Sequence, residues 1–153
     1  MNVFVEREVE NLIRTGLIAE FTSYNAENET SHSPSYRRFF SDDAADEDVE
    51  SIKFPMIQIG ASPNTPRGYR EPLRQVPVLI NIGTLLINDP KRAELAVLYS
   101  VARNAVDSRD WNQDTGALGN VELTIEEGGE ILEDENASYV TMNLIAEVCV
   151  EDE

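Results

Sequence analysis

The chain has 153 residues, 41% of them hydrophobic, one cysteine and a formal net charge of −17. That length suffices for one domain burying roughly 70% of the surface its unfolded form exposes, without a disulfide or metal staple. The charge argues against groove binding to nucleic acid by the acid-only part from Asp110 onward, and no apolar run approaches the ~18 residues of a membrane helix.

The opening stretch, MNVFVEREVE, sets charges among its apolar residues and is not expected to act as a signal peptide. The chain is therefore expected to be soluble and intracellular, or part of a particle assembled inside a cell. Residues 3–18 read as an amphipathic helix, with Val5, Val9, Leu12 and Ile13 on one face and Gly16 ending or loosening it. From Thr22 to Glu50 the periodicity dissolves into a long polar loop, 22–50, anchored only by Tyr36, Phe39 and Phe40. Such a loop is either a surface excursion or a segment that orders on a neighbour. Its acidic run, Asp42 to Asp48, lacks the glycine and spacing of a calcium-binding loop, so it reads as solvated. His32, the sole histidine, lies in polar surroundings and suggests no catalytic role.

Phe54 to Ile59 and Val76 to Gly83 alternate as strands, the second setting Val76, Val78, Ile80 and Ile82 on one face. The Pro- and Arg-rich arm 62–74 between them is too stiff and long for a tight turn, and protrudes. Arg67, Tyr69, Arg70 and Arg74 make it a candidate interface; an exposed loop with incidental arginines is the alternative. At the next junction, Leu85 to Pro90 contains no glycine, so backbone cannot wrap a phosphate as it does in nucleotide-binding turns. Asp89 suits the cap and Pro90 the first position of a helix carrying Leu95, Leu98, Ala102, Ala105 and Val106 on one face. Asp89 would sit where an anion would bind, and the junction reads as scaffold.

After a polar turn holding Trp111, Val121 to Ile125 alternate with one wet face, Gly128-Gly129 read as a turn or bulge, and Tyr139 to Val150 form a long last strand. The lone Cys149 within it reads as a buried thiol. The expected fold is a single α+β domain: a mainly antiparallel β-sheet with an N-terminal helix and a central helix packed on one face.

The charge is unevenly placed. All twelve Lys and Arg lie between Arg7 and Arg109, while the chain from Asp110 onward has acids and no base. Its densest stretch is Glu126, Glu127, Glu130, Glu133, Asp134 and Glu135. Such a surface can be a solvated face, a channel lining past which DNA slides, or a mimic of DNA. One histidine and one cysteine far apart exclude a zinc site by spacing and a two-histidine phosphoesterase by count. No catalytic, metal-binding or cofactor-binding residue is expected, and the chain is not expected to be an enzyme.

The order of elements resembles a known family. A short helix, a variable loop, the strands "FPMIQIG" and "VPVLINIG" joined by the Pro/Arg arm, the helix "DPKRAELAVLYSVARNAV", and the closing strands "VELTIEEGGEILEDE" and "ASYVTMNLIAEVCV" are similar to tail terminator (tail completion) proteins of tailed bacteriophages. The resemblance implies a virion structural protein at the tail–neck junction, assembled in the host cytoplasm. It also implies a ring homo-oligomer, a hexamer in that family, that caps the tail tube and stops its polymerisation. The partners implied are further copies of itself, the tail tube protein and the neck or connector protein, with no stable nucleic-acid binding and no membrane. The long 22–50 segment departs from the shortest members. Another neck or head-closure protein, or an acidic DNA-mimic inhibitor, are the alternatives.

Overall fold

In the computed structural model, which describes residues 5–38, 53–61, 73–112 and 118–150, the two strongest alternating runs of the sequence pair with each other. These are β3 (Leu73–Leu85) and β5 (Ala137–Val150), antiparallel at the centre of the sheet. Val76, Val78, Ile80 and Ile82 face one way with Val140, Met142, Leu144, Ala146 and Val148, and all are buried. β2 (Met56–Ala61) lies against β3, β1 (Ser35–Arg38) runs parallel to β2 at one edge, and β4 (Leu118–Glu133) pairs with β5 at the other. The five-stranded order is β1-β2-β3-β5-β4, antiparallel except for the β1–β2 pair.

Two helices cover the apolar face. α1 (Val5–Asn28) contributes Val9, Ile13, Leu17 and Phe21 to the core, and α2 (Ala93–Ser108) contributes Leu95, Leu98, Val101, Ala102, Ala105 and Val106. Each fully buried aliphatic side chain stabilises the fold by about 1.5–3 kcal/mol, and this layer supplies most of the driving force. The chain is thus a single α+β domain, as its periodicity predicts.

Several boundaries differ from the sequence expectation. α1 does not stop near Gly16; it continues to Asn28, burying Phe21 and packing Tyr24 at the core margin. The predicted polar loop 22–50 therefore begins as helix, turns at Glu29 (φ 54°), and contains the β1 strand; residues 39–52 lie outside the described residues. Gly16 is a slot rather than a stop. A Cβ there would come within 2.3 Å of Trp111 Cζ3, so the indole occupies the space that any other side chain would take. Trp111 is held by its Nε1–H donating to the Val106 carbonyl (3.3 Å), with the Arg109 guanidinium 5.7 Å from its ring. Arg109 in turn pairs with Glu20 of α1 at 3.2 Å, so α1, α2 and the turn after α2 lock together here.

The β3–α2 junction also differs in detail. α2 begins at Ala93, beyond Pro90, and Arg92 at the cap position is left-handed (φ 58°) with no capping side chain of its own. Asp89 caps from a distance. Its Oδ1 accepts the Glu94 amide (3.0 Å), while its Oδ2 accepts the Leu95 amide (3.0 Å) and the Thr84 hydroxyl (3.0 Å). Burial raises the carboxyl pKa, but these donors and the Ala93 amide outweigh it and hold Asp89 below the ordinary carboxylate value. Asp89 therefore occupies the helix N-terminus, where a bound anion would otherwise sit.

Two outcomes are expected. Gly16→Ala should lower the thermal midpoint: the gain in helix propensity of about 1 kcal/mol is outweighed by overpacking against Trp111 of about 1–3 kcal/mol. A raised midpoint with unchanged tryptophan fluorescence would contradict the slot. Asp89→Ala should cost about 1–3 kcal/mol at neutral pH by removing the cap and leaving Thr84 unpaired. Because the folded-state pKa is depressed, this contribution is present above the unfolded carboxylate value and is lost as pH falls through the folded one. Denaturation curves of the two proteins should thus converge in acid; a constant gap down to pH ~2 would contradict the assignment.

Candidate functional site

The most exposed continuous stretch among the described residues is Glu126–Asn136, the outer half of β4 and its turn into β5. It is shaped by two irregularities in the β4–β5 ladder, between Ile125 and Glu127 and between Gly128 and Glu130. Ile125 sits opposite Leu144 on the helix side; strict alternation would turn Glu127 to that side as well. The first bulge instead places Glu127 opposite Asn143 on the open face and Gly128 opposite Met142 beneath α2. A Cβ on Gly128 would lie 2.8 Å from the Tyr99 hydroxyl, so any larger residue here would collide with that side chain of α2. Gly129, with φ 93°, makes the second bulge, which returns Glu130 to the open face and Ile131 to the helix side.

The six acidic residues singled out from the sequence therefore do not form one uniform surface. Glu133 pairs with Arg92. Asp134 builds the turn: its Oδ1 accepts the amides of Asn136 and Ala137, both at 2.8 Å, and those hydrogen bonds hold its carboxyl below the ordinary value. Glu127 and Glu130 point to the open face, Glu126 occupies a bulge, and Glu135 is exposed at the turn. Glu122 stands opposite Glu147 on the open face, a like-charge cross-strand pair that adds to the negative field there. Around the bulges runs a shallow open groove of about 790 Å³, lined by Arg103, Asp107, Glu126, Glu127, Glu130 and Asn143 among others. It wraps the strand edge instead of enclosing a ligand. A second cavity, about 20 Å³ beside Glu10, Tyr36 and Arg37, has room for about one water. Burial pushes the Tyr36 hydroxyl there up to about 12, against the opposing charge of Arg14.

Arg67, Tyr69 and Arg70 of the predicted arm lie outside the described residues, and Arg74 is described only by its backbone pairing with Val148 in β3. The arm's two ends leave the sheet opposite the 134–136 turn, since Ala61 pairs with Val78 and Leu73 with Cys149, whereas Leu85 pairs with Ala137. Its root is tied down by the buried Glu10 carboxylate, which accepts the Ala61 amide at 3.0 Å. His32 is fixed rather than loose. Asn25 bonds both its amide and its carbonyl, and its Nδ1 lies 3.6 Å from Glu94, linking the end of α1 to the start of α2.

One feature of the open face escapes a strand-by-strand reading. Arg37 lies beside Gln58, Gln58 opposite Asn81, Asn81 opposite Thr141, and Thr141 opposite Glu130, a single polar row across all five strands. Asn81 Nδ2 donates to Gln58 Oε1 (3.1 Å), and the Thr141 hydroxyl donates to Asn81 Oδ1 (3.4 Å). The signal in the sequence is a polar residue in each apolar run, as in "VLINIG", but the row exists only once the register is set.

Among the described residues no group of three or more His, Cys, Asp or Glu is placed to hold a metal ion, and no helix is long and apolar enough to cross a membrane. No protein-family model matches the chain, and no curated protein matches it in sequence.

Proposed function

We propose that this protein is a structural subunit that works by assembling with copies of itself into a ring at the end of a phage tail tube. There it halts polymerisation and presents the surface that meets the neck. The observation that carries this reading is the pair of unlike edges on an open sheet, one in a strand bearing exposed carboxylates and the other in a strand bearing two arginines. A closed ring needs two different surfaces that fit each other, because each subunit meets its neighbours with opposite flanks. The concentration of acid on the β4–β5 hairpin supports a lumen past which DNA moves without binding, since carboxylates release no counterions from the phosphate backbone. The resemblance in element order to tail terminator proteins supplies the hexamer, the tube and the neck as partners. The open groove, and the cap, ion pair and close contact that engage Asp89, Glu133 and His32, favour assembly over chemistry as the work of this fold.

Tails assembled without this protein should grow to irregular lengths or fail to join heads, as seen by electron microscopy of particles from a deletion strain. Tails of uniform length attached to heads would end the terminator reading. A salt-sensitive one-to-one complex with a basic nuclease or repressor would favour the DNA-mimic alternative.

A further inference from the structure

We infer that copies of this chain join head to tail by continuing the sheet, the outer edge of β4 in one copy pairing with the outer edge of β1 in the next so that Glu130 meets Arg37. Among the described residues nothing pairs with either outer edge, and an unpaired edge presents a row of backbone donors and acceptors to a partner strand. The strand directions agree. β1 runs with β2, β2 against β3, β3 against β5 and β5 against β4, so β4 is antiparallel to β1. A neighbour brought up beside β4 by rotation about an axis along the strands would extend the sheet with the pairing already used at its centre.

The inference rests on the ring reading, because a closed ring turns without rising and brings together rows of equal height. The row through Gln58, Asn81 and Thr141 identifies those heights: it has Arg37 at one end and Glu130 at the other, both on the open face. Closing the ring joins the two ends of this row. The adjacent rows set Ser35 level with Leu132 and Tyr36 level with Ile131. The joint would thereby cover two of the large apolar side chains most exposed in the single chain, Ile131 at 48% and Leu132 at 53%.

Charges and bulges on an edge strand ordinarily discourage pairing. Here they select the partner. The bulge residues fall before Glu130, and Glu130 to Glu133 stay in regular register opposite Thr141 to Ser138. Two β4 edges brought together would oppose carboxylate to carboxylate, whereas β1 offers Arg37 with Arg14 close behind it. Arg37 already has an interaction within its own chain, and its five N–H donors can serve that and a neighbour's carboxylate.

The test is the mass of the full chain in solution, by sedimentation velocity and native mass spectrometry across a concentration series, for wild type, E130R, R37E and the double variant R37E/E130R. Each single reversal should raise the concentration for half assembly by roughly tenfold or more, and the double variant should recover assembly, since the pair is restored with its sign exchanged. Glu130 is exposed on an edge, so E130R carries the test even where R37E loosens its own chain. Single variants that assemble like wild type, or a double variant that recovers nothing, would overturn the edge pairing and leave the ring reading standing. A wild-type chain that remains monomeric, alone and with tail tubes, would remove both.

Discussion

The pairing of Leu73–Leu85 with the strand from Ala137 to Cys149 decides which side chains are inside and which are out. Along it Val76, Val78, Ile80 and Ile82 lie on the same side as Val140, Met142, Leu144 and Ala146, and the helices have a continuous apolar surface to cover. A slip by one residue would turn Asn81 and Gln75 into that layer and carry the isoleucines into water, so the register is strongly specified. It is also pinned at one end: the Leu86 amide donates to the Asn136 carbonyl, and Asp134 fixes the turn that brings β5 back beside β4. Asp89 then sets the start of α2 relative to Thr84 of β3, so helix and sheet are joined by a buried carboxylate as well as by apolar contact.

β4 shows how this constraint meets an acidic sequence. The run Ile125-Glu126-Glu127-Gly128-Gly129-Glu130-Ile131 cannot alternate strictly without turning Glu127 toward α2, into the position opposite Met142 where a side chain would meet the Tyr99 hydroxyl. Two bulges remove the conflict. One turns Glu127 outward and presents Gly128 to Tyr99, and the next restores Ile131 to the helix side opposite Val140. The same device concentrates carboxylates on the open face and twists the edge on which they lie. Core packing and the surface field of this strand thus have one origin.

Seen from the open face, the sheet is electrically polarised. Arg37 stands at the β1 edge, a hydrogen-bonded amide and hydroxyl row crosses the middle, and Glu130 stands at the β4 edge with Glu127 on the neighbouring row. An isolated molecule gains little from such a separation, because exposed charges at opposite edges are screened beyond about 8–10 Å. Repeated copies set side by side would bring each end against its opposite. That is the physical sense in which the proposed assembly suits this surface better than the binding of a small ligand would.

Much of the fold was legible because its signals are local. Two-residue alternation over Val76 to Ile82 and Val140 to Val148, and three-to-four-residue spacing from Leu95 to Val106, identify strands and helix without knowledge of their partners. The lack of glycine at the β3–α2 turn, with Asp89 beside it, is likewise a local signal, and the carboxylate does accept the first amides of α2. Tertiary structure decided what depends on residues distant in the chain. Gly16 reads as a helix breaker until Trp111 is seen filling the space beside it, and α1 then runs on to Asn28. The acids of β4 read as one patch until pairing with β5 divides them between turn, ion pair, bulge and open face. The row from Arg37 to Glu130 has no counterpart in any single segment, because register between five strands is set by the burial of all their apolar faces at once.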